Sequence, residues 1–188
     1  MDGYELFEST AATVNKEVLF LSDVRLEQCL RRCAAMPGSG GEDLSLEEAR
    51  NRLIADTLAL QEQRKLELGQ VDNAALAAAV LEAASRTAKC GSPCRGGIPP
   101  KRVADWVERK LLVRDFLLRR VAVFVEIKDE EVRKEYQRRA GRGDAAPGLT
   151  EEKVRQELRE AKIAQEVRNW YDRAASKSRI ILSPLEGR

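Results

Sequence analysis

Histidine is absent from the chain. Its absence excludes Ser-His and Cys-His nucleophile pairs, histidine metal sites, and the one side chain whose ordinary pKa lies near neutrality. Most hydrolase templates go with it. Aromatic residues are scarce at 5%, and Trp106, Phe116, Phe124 and Trp170 read as core rather than as a ligand platform. No apolar run reaches the ~20 residues of a membrane helix; the longest burst, near Val121 to Val125, is flanked by Arg and Glu. Neither sign of charge is in excess. Lys and Arg number 33 against 31 Asp and Glu, and a net charge of +2 is too weak a field to gather nucleic acid or anionic lipid. Lys101, Arg102, Arg109, Lys110, Arg114, Arg119 and Arg120 locally outnumber Asp105, Glu108 and Asp115, but such an excess reads as a solvated helix face. Neither nucleic acid nor membrane insertion is therefore expected. Met1-Asp2-Gly3 opens no secretory signal, since neither a basic start nor an apolar h-region follows.

What the chain has in quantity is helix-forming sequence, with 34% charged and 43% hydrophobic residues over 188 positions. Ser22 reads as an N-cap with Leu21 and Leu26 as a hydrophobic staple, opening a first helix that carries Leu26, Cys29, Leu30 and Cys33 on one face. Pro37 to Gly41 ends it. Ser45 and Glu48 form a capping box for a second helix with Leu53, Ile54, Leu58 and Leu60 on its apolar face and Gly69 as its C′ residue. Val71, Asp72 and Leu76 repeat the staple and cap for an Ala-rich third helix to about Arg86. A breaker-rich loop, Lys89 to Pro100, precedes a long fourth helix expected from about Lys101 to Val123. Asp129 is the expected cap of a fifth. After a small-residue linker, Ala140 to Gly148, Leu149, Thr150 and Val154 open a last helix carrying Leu158, Ile163, Val167, Trp170 and Ala174.

Only two stretches read as strands: "VNKEVLFLSDV" (14–24) near the start, and Arg179 to Leu182 near the end. A lone hairpin is marginal in water. The expected solution is a small sheet in which Ala12 to Val14 pairs with Val18 to Leu21 and Arg179 to Leu182 adds a third strand, clasping the two ends together. The fold class is thus mostly α, about six helices with a small sheet, in one module over 1–188: hairpin 12–21, helices about 22–139, linker 140–149, C-terminal helix and strand 150–182.

The order of these signals, "VNKEVLFLSDV", "RLIADTLALQEQRKLELGQVD", "VERKLLVRDFLLRRVAVFVEIKDEEVRKEY" and "VRQELREAKIAQEVRNWYDRAASKSRIIL", resembles the chaperone module of SurA-like periplasmic folding factors from about Ala12 to Leu182. In that family a parvulin-type prolyl isomerase domain commonly sits between the N-terminal segment and the C-terminal helix. Only ten residues separate Arg139 from Thr150 here, far short of the ~100 of a typical domain. The resemblance therefore implies a periplasmic or otherwise exported holdase that is not an enzyme, with no isomerase activity, no catalytic residue and no metal or other cofactor. Its partners would be unfolded or outer-membrane client polypeptides bound in an apolar groove, for which Leu112, Phe116, Leu117 and Phe124 are candidates. A dedicated assembly factor for one envelope or secretion partner, a prolyl isomerase relative retaining catalysis, and a thiol-disulfide catalyst are the competing readings. A homodimer formed by strand or helix exchange is also a candidate.

Three positions depart from the family pattern. Lys16 stands where Gly or Asp is frequent, which favours a longer or bulged turn. Lys128 replaces a Ser or Thr cap, leaving Asp129 to cap. The cysteine loop stands where the region between the third and fourth helices is shortened. Cys29, Cys33, Cys90 and Cys94 are spaced C-x3-C twice rather than C-x2-C. In an oxidising compartment two bridges from the end of the first helix to this loop would lock the bundle. A local Cys90 to Cys94 bridge, free thiols, a four-cysteine zinc site and a redox-active dithiol remain open.

Overall fold

The computed structural model describes residues 8–33, 35–36, 40–91, 94, 98–141 and 148–185. Among these, three strands and six α-helices follow one another as β1 (Thr10–Val14), β2 (Glu17–Phe20), α1 (Leu21–Arg32), α2 (Leu46–Leu66), α3 (Asn73–Ala88), α4 (Pro100–Arg120), α5 (Asp129–Gly141), α6 (Glu151–Ser176) and β3 (Ile180–Leu182). A single 3-10 turn, Ala122–Phe124, lies between α4 and α5. No helix of the described residues is long and apolar enough to cross a membrane.

β1 is the centre of an antiparallel sheet of order β2-β1-β3, so the first and last strands of the chain are hydrogen-bonded neighbours, as the clasp requires. The hairpin turn corrects one expectation. Val14 pairs directly with Glu17, so Asn15-Lys16 is a tight two-residue turn, and the irregularity sits instead between Thr10 and Ala12. Asn15 carries the left-handed φ of 57° that such a turn demands, a conformation Asn tolerates better than most residues. Its side chain also holds the third strand. The amide oxygen accepts from Arg179 N at 2.9 Å, the backbone N donates to Arg179 O at 2.7 Å, and the amide nitrogen donates to Gln61 Oε1 of α2 at 2.6 Å. At the other end of β3 the buried Arg50 of α2 donates to Ser183 O at 3.0 Å. The clasp is thus fastened at both ends of a three-residue strand. Asn15→Gly keeps the left-handed turn and removes only the amide, so it is expected to cost about 1 kcal/mol, while Asn15→Ala adds the left-handed penalty for about 2 kcal/mol in all. Urea unfolding, with hydrogen exchange at Ile181 as the local probe, checks both values.

Other boundaries follow the caps. The Ser45–Glu48 capping box is present, with Glu48 N donating to Ser45 Oγ at 3.2 Å and Ser45 N to Glu48 Oε2 at 2.8 Å. Asp72 accepts from Ala75 N at 2.8 Å and Thr150 from Lys153 N at 3.2 Å, as read. Three assignments shift. α1 starts two residues early because β2 runs straight into it. Phe20 is the cap, its N–H held by Asp23 at 3.3 Å, and Ser22 lies inside the helix, its hydroxyl donating to Glu8. α2 ends on Glu67, not Gly69, in left-handed conformation, with Leu68 N returning to Gln63 O at 3.2 Å. Gly69 is left-handed too, and a Cβ there would lie 3.2 Å from Asp115 of α4. Lys128, not Asp129, precedes α5, and Glu131 accepts from its N–H at 3.0 Å. The Pro37 to Ser39 stop and most of the 140–148 linker lie outside the described residues.

The chain forms two compact units, Met1–Phe116 with Ala174–Arg188, and Leu117–Arg173, the divisions falling inside α4 and inside α6. Two apolar clusters make the core of the first. One joins the sheet (Ala12, Val14, Leu19) to Val24 of α1 and Leu53, Ile54 and Leu58 of α2; the other joins Leu30 of α1 to Ala79 and Ala83 of α3 and to Val103, Trp106, Val107 and Leu111 of α4. In the second unit only Val121, Ala122, Val132 and Val154 are buried among the described residues.

Candidate peptide-binding surface

The segment from Leu117 to Ile127 alternates between covered and open positions for a local reason. α4 stops at Arg120, three residues before the expected end, and Val121 leaves helical geometry with φ −120°. The tighter turn that follows, with Phe124 N donating to Val121 O at 3.2 Å, buries Val121 and Ala122 and points the next two side chains outward. Val123 is 65% and Phe124 76% exposed, and Leu118, one turn earlier, is 51% exposed. Leu117, Val125 and Ile127 are half-buried. This second unit therefore carries a run of large apolar side chains in water along one short segment.

α6 adds a second apolar row in the same unit. Val154 is buried, while Leu158, Ile163, Val167 and Trp170 are half-buried; Trp170 meets Tyr171 edge to face at 5.0 Å. Ion pairs hold the unit's helices: Arg155 to Asp129 at 2.7 Å, Arg139 to Glu135 at 2.7 Å, and Arg139 to Glu157. Glu135 is drawn down to about 2 by hydrogen bonds from Arg138 and Arg139. Lys162 Nζ donates to Glu126 O at 2.9 Å and so anchors the extended link after Phe124.

Of the four groove candidates, Phe124 is exposed and Leu117 half-buried in the second unit; Leu112 is half-buried in the first. Phe116 has no exposed surface and belongs to the interior of the first unit. Leu118 and Val123 are not among those candidates: Leu118 lies on the open face of α4, and Val123 is turned outward where the 3-10 turn interrupts the 3.6-residue period.

A buried ionic cluster stands apart from the sequence-predicted site residues. Lys110 of α4 donates to Glu27 of α1 at 2.7 Å and to Asp56 of α2; Glu27 also accepts from Trp106 Nε1 at 2.5 Å and Arg31 Nε at 3.0 Å. Glu27 is wholly buried and Lys110 is 5% exposed, so Lys110 is no part of a solvated face. Arg102 is paired with Asp23 at 2.5 Å and Arg109 with Thr57, which further shortens the basic row of α4. Burial pushes the Glu27 carboxyl up, yet the Lys110 charge and the bonds from Lys110, Trp106 and Arg31 prevail and hold it below the usual range. A signal did exist: Glu27 stands between Val24 and Leu30, Asp56 three after Leu53, and Lys110 three after Val107, each at an apolar position of its own helix. Closed to solvent, the cluster ties three helices together rather than meeting a substrate.

All four cysteines are paired. Cys29 bonds Cys94 and Cys33 bonds Cys90, each with Cα atoms 5.4 Å apart. The two bridges join the end of α1 to the loop after α3, so the local Cys90 to Cys94 bridge and the free-thiol alternatives fall away. No protein-family model matches the chain, and no curated protein matches it in sequence.

Proposed function

We propose that the protein is a holdase-type chaperone that binds unfolded polypeptide segments on the apolar surface of its second unit. The observation that carries this reading is the exposure of Leu118, Val123 and Phe124 together, in a unit that buries few side chains of its own. Transient burial of client aliphatic and aromatic groups there is weak and reversible, because ordering the client opposes it. Two disulfides fit an oxidising environment, and together with the order of sequence signals they support an exported, periplasmic setting for this activity.

The test is suppression of aggregation of a chemically unfolded client by the purified chain. Burying a Phe side chain is worth about 2 kcal/mol, so Phe124→Glu is expected to weaken client binding roughly 30-fold. Thermal stability should hold, since the residue makes no core contact to lose. Equal protection by the variant and the parent would exclude this surface, and no protection by the parent at several-fold excess would exclude the holdase reading altogether.

A further inference from the structure

We propose that the four cysteines are also a reduction-gated zinc site. The sulfurs of Cys33, Cys90 and Cys94 all lie within 4.8 Å of one another, and Cys29 is bonded to Cys94, so two disulfides share one knot of four sulfurs. A tetrahedral zinc with Zn–S bonds of ~2.3 Å needs sulfurs about 3.8 Å apart, which the knot reaches by small side-chain movements once the S–S bonds open. Cys29 in the last turn of α1 and Cys33, its C-cap residue, are one turn apart, Cys33 N donating to Cys29 O at 3.0 Å, and form a fixed pair of ligands. Cys90 and Cys94 supply the second pair from a turn closed by Cys94 N donating to Gly91 O at 3.1 Å.

The electrostatics favour a cation over bare thiolates. α1 ends at Arg32 and α3 at Ala88, so both helices bring their negative C-terminal ends toward the cysteines. Carbonyl ends oppose four bare thiolates of total charge −4, and zinc relieves part of that repulsion by bringing the cluster to −2. Four sulfur donors and no histidine select zinc over magnesium or calcium. The chemistry balances with a dithiol as reductant: each disulfide takes two electrons and two protons, giving two thiols while the dithiol closes to its own disulfide. Zinc then displaces the thiol protons to form the tetrathiolate. The α1 to α3–α4 staple thereby persists when the disulfides are lost. This inference does not depend on the chaperone reading.

The experiment reduces the full chain with excess dithiol in the presence of chelator, exchanges it anaerobically into metal-free buffer, and titrates it with Co²⁺ and then Zn²⁺. The expected result is one Co²⁺ per chain with sulfur-to-metal charge-transfer and tetrahedral d–d bands, displaced by Zn²⁺, and a thermal midpoint raised back toward that of the oxidised protein. C29S/C94S and C33S/C90S each keep one disulfide for folding, and once reduced should bind at least about 100-fold more weakly. Absence of the thiolate bands, a smaller loss in either variant, or metal uptake without recovery of the thermal midpoint would each overturn the proposal.

Discussion

Loss of both disulfides is expected to cost about 6–7 kcal/mol in metal-free buffer, comparable with the whole stability of an ordinary domain. The Cys33–Cys90 bridge spans 57 residues, and closing a loop of that length in the unfolded chain is worth about 4 kcal/mol. With that bridge in place, Cys29–Cys94 closes only the short additional segments on either side, for about 2.5 kcal/mol more. Nesting makes the pairs redundant, so C29S/C94S or C33S/C90S alone should cost only about 2.5 kcal/mol, and the four-serine variant more than the two together. Urea unfolding of the three variants at pH 7 provides the test. Strict additivity would mean that the bridges constrain the unfolded chain independently, contrary to their nested pairing.

Lys110→Met is expected to destabilise the protein by about 3–5 kcal/mol, because it leaves Glu27 and Asp56 buried without their common counter-charge. Replacing all three together, as Lys110→Met with Glu27→Leu and Asp56→Leu, should recover much of the loss, since no orphaned charge then remains. The pH dependence distinguishes this from a packing defect. In the parent the Glu27 carboxyl is held below its ordinary value of 4.5, so its contribution is present above that pH and fades as pH falls through the depressed folded value. Without Lys110 burial dominates and the carboxyl moves up, and the cost of ionising it is then felt as pH rises past 4.5. Urea unfolding at pH 7 and pH 4 should therefore show a larger gap between parent and variant at pH 7. A gap independent of pH would mean that Lys110 acts through its hydrocarbon stem alone.

Local signals located most of the elements correctly. Ser45 with Glu48, Asp72, and Thr150 each offer a side-chain oxygen within three residues of the amide they cap, which is why these starts were legible. Phe20, Glu67 and Lys128 were not, since none of them is a preferred terminal residue and each holds its place through neighbours. β2 leaves no spare residue before α1, Leu68 closes back on Gln63, and Glu131 reaches Lys128. The apolar surface was half legible. Phe124 is a groove candidate from the sequence, but the turn that exposes it with Val123 depends on where α4 stops.

By itself the sequence determined what depends on near neighbours and on composition. That includes six helices, two short β-branched stretches too weak to stand alone, four cysteines in two C-x3-C pairs, and an absence of histidine that removes whole classes of chemistry. Tertiary structure decided every pairing across long separations. It chose Cys29 with Cys94 and Cys33 with Cys90, set β3 against β1 with Asn15 and Arg50 at its ends, and drew Lys110 inward to Glu27 and Asp56. The physical reason is that a cap or a period is an interaction within one or two turns of chain. A buried charge or a disulfide becomes favourable only where packing brings distant partners within reach.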